Sequence, residues 1–113
     1  MSKPTRFYSN KQEKYIAKTV GGRKVANSGA TAFNKGDVLT KYFLIEAKTT
    51  TSQKKSFSIK KEWLEKNEEE AFAMNKPYNA LAFDFGDGEQ HYIISEKLFK
   101  RLVNYVEEDE NGE

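Results

Sequence analysis

Hydrophobic and polar positions alternate with two different periods along this chain, and the period separates helices from strands. Apolar residues recur every three or four positions over 10–20, 60–74 and 95–105, which predicts three helices. Short runs rich in β-branched and aromatic residues predict strands in the remainder. These runs cover 24–26, 37–40, 42–48, 79–85 and 90–94, and 57–59 is a candidate for one additional short strand.

Local signals mark where the helices begin and end. Ser9 or Asn10 is suited to cap the first helix, and Gly21-Gly22 to end it. Pro77 separates the second helix from the next strand, and Ser95 is suited to cap the third. The order is therefore a helix, three short strands, a helix, two strands and a helix.

The helical spacing also predicts which side chains are buried. In the second helix we expect 68–70, a run of three glutamates, to face solvent. The residues expected to face the core are Tyr15, Ile16 and Thr19 or Val20 in the first helix, Trp63, Leu64, Ala71 and Phe72 in the second, and Leu98, Phe99, Leu102 and Val103 in the third.

This order of elements predicts an α/β fold in which one mixed sheet is flanked by helices. The strand at 42–48 is nearly continuous in apolar residues and should be central. With 113 residues the chain has room for one domain, which we place at 1–106. We expect 49–56 to form a mobile polar loop and 107–113 to form a disordered acidic tail.

Composition excludes several classes of protein. The chain has no cysteine, so a disulfide framework and a thiolate zinc site are both ruled out. The N-terminus has no apolar signal sequence, and no apolar run is long enough to cross a membrane. We therefore expect a soluble protein of the cytoplasm without a membrane partner.

Charge is distributed very unevenly along the chain. Residues 1–61 hold 14 Lys and Arg against three acids, a balance of +11, whereas residues 62–113 hold 5 against 14, a balance of −9. The basic part is suited to bind a polyanion such as DNA, although a solvated lysine-rich surface explains the lysines equally well. Its three acids are Glu13, Asp37 and Glu46.

Two of these acids are predicted to lie on neighbouring strands. Glu46 and Lys48 are two residues apart and therefore project from the same face of their strand. A carboxylate pair from adjacent strands is suited to bind a hard cation such as Mg²⁺ through oxygen. A cation held in this way promotes phosphodiester hydrolysis, with Lys48 positioned to offset developing charge.

Here the sequence resembles the PD-(D/E)XK nuclease superfamily, and within it the archaeal-type Holliday junction resolvases. The resemblance rests on Gly36-Asp37, on Glu46-Ala47-Lys48, on Glu13 in the first helix and on Asn27-Ser28-Gly29-Ala30. It implies a restriction-endonuclease-like core of the order α-β-β-β-α-β. It also implies an enzyme that uses Mg²⁺ or Mn²⁺, acts as a homodimer and cuts branched DNA such as a four-way junction.

The resemblance assigns a role to each candidate residue. The catalytic set is Glu13, Asp37, Glu46 and Lys48, of which the three carboxylates are the expected metal ligands. Contacts with DNA are expected from the basic half together with the Ser-Gly segment. These residues are Arg23, Lys24, Ser28, Lys35, Lys54, Lys55, Lys60 and Lys61.

Other interpretations of the same residues remain open. Glu46 and Lys48 also suit a surface ion pair, and Asp37 also suits a turn. At the level of function, the alternatives are another PD-(D/E)XK repair, replication or nicking nuclease, and a non-catalytic DNA- or protein-binding module. His91 is expected to be structural.

Overall fold

Five strands form one mixed sheet, and three helices surround it. The computed structural model describes residues 5–25 and 37–110, with side chains from residue 7 onward. The elements are α1 (Thr5–Val20), β1 (Arg23–Lys24), β2 (Asp37–Leu39), β3 (Phe43–Lys48), α2 (Lys61–Ala73), β4 (Tyr78–Phe83), β5 (His91–Ile93) and α3 (Glu96–Glu110). The predicted α/β class and the predicted order of elements are confirmed.

The strands lie in the order β1-β2-β3-β4-β5, so β3 is central as predicted. β3 and β4 are parallel and are connected through α2, whereas the other neighbours are antiparallel. A parallel pair needs a crossover of this kind, because a tight turn can join only antiparallel strands. The register places Asp37 opposite Glu46, and Lys48 beside Phe83.

The two faces of the sheet are covered by different helices. On one face, Ile16 of α1 packs with Val38, Ile45 and two alanines of β4. On the other face, Ala71 of α2 belongs to a cluster with Val25, Leu39 and Leu44. Since side chains alternate along a strand, Asp37, Glu46 and Lys48 share the face of Leu39 and Leu44, and they therefore point toward α2.

The predicted boundaries are confirmed at the C-terminal end of α1 and at the N-terminal end of α3. Gly21 follows α1 with a φ of +67°, and the amide of Gly22 donates to the carbonyl of Ala17 at 2.8 Å. At the other end of the chain, the amide of Leu98 donates to the Ser95 hydroxyl at 3.1 Å, so Ser95 caps α3. α1 begins at Thr5, earlier than predicted, because apolar spacing does not define a polar first turn.

The predicted burial is wrong at several positions of the helices. In α1, Ile16 is buried, but Tyr15, Thr19 and Val20 are exposed. In α2, Ala71 is buried whereas Phe72 is 85% exposed. Trp63 and Leu64 are half-buried on the same face as Ala71, and Glu70 is buried there because the packing of α2 on the sheet sets the helix phase. Phe99, Leu102 and Val103 are exposed because the described part of the chain leaves that face of α3 uncovered.

Two further local predictions are wrong. No strand forms at 57–59, which has no regular secondary structure and lies before α2. The acidic segment after 106 is not disordered over its whole length, because α3 continues to Glu110. Glutamate has a good helix propensity, so a helix that is already formed continues through it. Residues 111–113 lie outside the described residues.

The 49–56 loop is attached to the turn that follows β4. The amide of Lys54 donates to the carbonyl of Phe85 at 2.8 Å. Gly86, at a φ of +93°, packs so closely on this loop that a Cβ there would collide with the backbone of Ser52 and Gln53. The loop is therefore tethered at its centre. No helix in the described part of the chain is long and apolar enough to cross a membrane.

Candidate metal centre

Asp37 and Glu46 are the first pair of the site. They are directly opposed across β2 and β3, and β2 begins at Asp37. Directly opposed residues of an antiparallel pair have Cβ atoms about 5 Å apart. Asp37 is 1% exposed, and Glu46 is half-buried. The strand pairing alone thus places two carboxylates together at the edge of the core.

A third carboxylate comes from α2 and was not predicted. One carboxylate oxygen from each of Asp37, Glu46 and Glu70 lies within 4.8 Å of the other two. Glu70 is 3% exposed, whereas its neighbours Glu68 and Glu69 are exposed. Because α2 covers the sheet face that carries Asp37 and Glu46, the helix position that faces inward completes the group. We call Asp37, Glu46 and Glu70 the acidic triad.

Among the residues that the structure describes, Asp37 has no partner that explains its burial. Neither of its carboxylate oxygens has a hydrogen bond within this part of the chain, and both are inaccessible, as is Oε2 of Glu70. Burial, together with the negative charges of Glu70, Glu46 and Glu13, raises the pKa of Asp37 to about 8, while Lys48 acts to lower it. Burial also raises the pKa of Glu70, with Glu46 adding to the effect. An unpaired buried carboxylate is costly, so such a group needs a cation or a proton.

The donor set fits a small divalent cation. When all three acids are ionised, the triad and Lys48 together carry a charge of −2, which one divalent ion balances. Mg²⁺ binds oxygen at about 2.1 Å, so its ligands are at most about 4.2 Å apart. The triad oxygens, all within 4.8 Å of one another, need only a small approach to reach that spacing. Oxygen-only ligands favour Mg²⁺ or Mn²⁺ over softer metals.

Lys48 lies beside the triad and contacts two groups. Its Nζ atom is 3.5 Å from Oε2 of Glu46, as expected for side chains on the same strand face. The same Nζ lies 4.3 Å from the centre of the Trp63 ring, and Lys60 Nζ lies 5.9 Å from it. A cation over an indole face is attracted by the ring quadrupole. The Trp63 ring therefore holds the Lys48 ammonium at the triad and the Lys60 ammonium close to it.

A hydrogen-bond network holds the end of β3. The side chain of Gln12, on α1, donates to the backbone oxygen of Lys48 and to Oε1 of Gln90, each at 2.9 Å. Gln90 donates in turn to Asp84 at 2.8 Å, and Asp84 accepts from the amide of Gly86 at 2.7 Å. These bonds connect α1 and the turn after β4 to the backbone of Lys48. They therefore fix the backbone position from which the Lys48 side chain projects.

Glu13 occupies a different position from the one expected of a metal ligand. It is buried on α1, on the sheet face opposite the triad, and its carboxylate lies 3.8 Å from Lys24 Nζ. Burial raises its pKa, and Lys24 lowers it. Lys24 also donates to Asn10 at 2.9 Å. Glu13 influences Asp37 through its charge, but the group of three that the described residues form contains Glu70 in its place.

The residues predicted to contact DNA divide into three groups. Lys24 is half-buried and is engaged with Glu13, so it is not free for a phosphate. Ser28 and Lys35 lie outside the described residues, as do Phe33 and Gly36. The rest are exposed at the surface: Arg23, Lys54, Lys55, Lys60 and Lys61.

Three other polar side chains make local structural contacts, and of these a structural role was predicted for His91. Asp84 and Asp87 accept hydrogen bonds from the amides of Gly86 and Glu89, so both stabilise the turn after β4. His91 packs 5.6 Å from the rings of Phe83 and Phe85. None of these side chains belongs to the triad.

Comparisons with protein-family models, with curated proteins and with solved structures find no match to this chain.

Proposed function

We propose that the chain is a metal-dependent endodeoxyribonuclease whose active site is the acidic triad with Lys48. The observation that carries this proposal is Asp37, a buried carboxylate whose two oxygens lack hydrogen bonds to any residue that the structure describes and lie close to two more carboxylates. A structural role would provide a donor or a counter-ion at those oxygens. A binding site for a divalent cation accounts for both the burial and the missing partners.

Each side chain has a distinct task in this proposal. The triad would hold the cation, and the resemblance to PD-(D/E)XK nucleases gives the same task to Asp37 and Glu46. A cation at this position makes a nearby water more acidic and offsets charge on the scissile phosphate. Lys48 would donate a hydrogen bond from Nζ to the attacking water or to a phosphate oxygen. Water would attack phosphorus and lose a proton to solvent, while the bond from phosphorus to the deoxyribose oxygen breaks and that oxygen takes up a proton.

The surroundings of the triad support a polyanionic substrate. Lys60 stands near Lys48 at the Trp63 ring, and Lys61 follows it in the first turn of α2. Lys54 and Lys55 are exposed on the loop between β3 and α2. Each ammonium is able to neutralise one phosphate and release a counter-ion. Positive charge on the segment that leads from the end of β3 to α2 is what a DNA backbone requires.

The finer assignment follows from the resemblance. We propose that the order of elements is the restriction-endonuclease-like core, and that the preferred substrate is a four-way DNA junction. Two symmetric cuts in such a junction need two active sites, hence a homodimer. A nuclease that acts on chromosomal or viral DNA would work in the cytoplasm. Another nuclease of the superfamily, with a repair, replication or nicking role, is the alternative if junctions are not preferred.

The test is a comparison of three labelled DNAs: a four-way junction, its linear duplex and one of its single strands. Each is incubated with Mg²⁺, with Mn²⁺ or with EDTA. Paired cuts at symmetric positions in the junction, absent in EDTA and with Lys48→Ala, support a resolvase. Cutting of duplex or single strands instead supports another nuclease of the same type. Binding of DNA without any cleavage would identify a binding module and contradict the nuclease.

A further inference from the structure

Helix α3 carries a row of apolar side chains that the described part of the molecule leaves uncovered. Leu98 is buried, but Phe99, Leu102, Val103 and Val106 are between 39% and 58% exposed. Their spacing of three and four residues places them on one face of the helix. A contiguous exposed apolar face of this kind marks an interaction site. We call these four residues the α3 stripe.

The charges of α3 are unfavourable for a helix that stands alone. Its last four residues, 107–110, are all acidic, and its last turn contains no basic residue. Negative charge at the C-terminus opposes the helix dipole. An isolated helix of 15 residues is already marginal in water. Something that supplies apolar cover and positive potential to this end would therefore stabilise α3.

We propose that α3 pairs in antiparallel orientation with α3 of a second copy of the chain, around a two-fold axis near Val103. Antiparallel pairing places the acidic end of each helix beside the positive N-terminal end of the other. It also satisfies two-fold symmetry, in which one patch contacts its own copy. The two α3 stripes then cover each other. This proposal does not rest on the nuclease function.

A charged pair on the flank of the α3 stripe fits this arrangement. At 100° per residue, Lys100 and Glu107 lie on the same side of the α3 stripe. In an antiparallel pair that crosses between Val103 and Asn104, Lys100 lies beside the partner's Glu107. Symmetry repeats the contact, so the interface gains two opposite-charge pairs. A parallel pair would instead bring identical charges together.

An apolar groove next to the start of α3 extends the surface. It has a volume of about 560 Å³ and is lined by Val20, Tyr42, Phe43, Tyr92 and others, ending at Ile94. Ile94 precedes α3 by two residues, so the last turn of an antiparallel partner helix lies beside the first turn of α3, next to this groove. Lys41 is one of the lining residues and is suited to attract the partner's acidic end. A stable dimer buries about 800 Å² per copy, and a helix of about 22 Å with this groove provides a surface of that order.

The first test measures the mass of the full chain by sedimentation over a range of concentrations. We expect a concentration-dependent dimer. Leu102→Asp should weaken it by at least about 100-fold, because it buries an unpaired charge in the α3 stripe. Asn104→Asp, on the outer face of the same helix, is the matched control and should dimerise normally. Unchanged circular dichroism would show that both variants fold.

The second test locates the symmetry axis by disulfide formation. The chain has no cysteine, so a disulfide formed by a single introduced cysteine joins that position to the same position of a second copy. Val103→Cys should form a covalent dimer under mild oxidation, and Asn104→Cys should not. Lys100→Glu and Glu107→Lys should each weaken the dimer about 3- to 10-fold, and the double variant should restore it.

Two results would overturn the proposal. One is a chain that stays monomeric at every concentration, which would mean that the α3 stripe packs within its own copy or awaits another protein. The other is a dimer that survives Leu102→Asp and gives no disulfide with Val103→Cys, which would place the interface elsewhere. A chain that is always monomeric would also count against paired cutting of a junction, whereas metal-dependent cleavage itself is measured separately.

Discussion

Glu70 on α2 places a carboxylate oxygen within 4.8 Å of the carboxylate of Asp37 on β2. Both side chains are buried, and within the described residues three oxygens of the pair have no hydrogen bond. This contact is repulsive when both acids are ionised, and the negative charge of Glu70 raises the pKa of Asp37. A cation bound by both acids, as proposed above, would relieve the repulsion.

Glu70→Gln should weaken the binding of Mn²⁺ or Mg²⁺ by about 10- to 100-fold, because it removes one anionic ligand. The matched control is Glu69→Gln, which removes the same charge from an exposed neighbour on the same helix. Titration calorimetry with Mn²⁺ measures both. Equal affinities for the two variants would show that α2 contributes no ligand.

Stability without metal should fall as pH rises from about 4 to about 8. The folded-state pKa of Asp37 is raised from 3.8 to about 8, so over this window the folded protein holds a proton that the unfolded chain has lost. The free energy of unfolding then decreases by up to about 1.4 kcal/mol per pH unit and levels off above pH 8. Urea unfolding in EDTA across this range measures it.

Asp37→Asn is the control for this pH dependence. Asparagine cannot ionise, so the variant should lose most of the slope and be more stable than the wild type near pH 8. Added Mg²⁺ should stabilise only the wild type, and more strongly as pH rises, because the cation competes with the proton. If the free energy of unfolding changed with pH in the same way for the wild type and the variant, Asp37 would be ionised in the metal-free folded protein over this range.

Trp63→Leu should slow cleavage while leaving the affinity for the cation unchanged. The indole lies 4.3 Å from Lys48 Nζ and holds it beside Glu46. A cation–π contact contributes about 0.5–2 kcal/mol, so a loss of about 2- to 30-fold in rate is expected. Trp63→Phe keeps an aromatic face and should recover part of the rate. If leucine and phenylalanine gave the same rate, Trp63 would have only a packing role.

Gly86→Ala should destabilise the protein more than Gly88→Ala. Both glycines have positive φ, which costs alanine about 1 kcal/mol at either site. At Gly86 the new Cβ also collides with the backbone of Ser52 and Gln53, whereas at Gly88 no atom lies within 4 Å. We expect an additional loss of about 1–3 kcal/mol at Gly86. Thermal unfolding of the two variants measures the difference, and equal losses would mean that the loop is not packed on the turn.

The strand part of the site could be predicted from sequence because it depends on local alternation. Glu46 and Lys48 share a face whatever surrounds the strand, and Asp37 needs only the hairpin register to lie opposite Glu46. The α/β class follows from the same periodicities. No long-range information was required for these statements.

The ligand from the helix, Glu70, could not be predicted from the sequence in the same way. The run 68–70 contains three glutamates, and only the packing of α2 on the sheet decides which one faces inward. The sequence did contain a signal for the inward face of α2. Asn67 lies three residues before Glu70 and Met74 lies four residues after it, which is the spacing of one helix face. That face is polar, and the apolar Phe72 suggested a different phase.

We propose that the acidic triad cleaves DNA with a divalent cation. The most direct test compares the rate of DNA cleavage in Mg²⁺ by the wild type with the rate by Asp37→Asn, both proteins being purified in parallel. The account predicts cleavage by the wild type that EDTA abolishes, and a rate at least about 100-fold lower for Asp37→Asn. DNA binding should persist in the variant. Cleavage at equal rates by the two proteins, or none by a wild type that binds both DNA and Mg²⁺, would contradict the account.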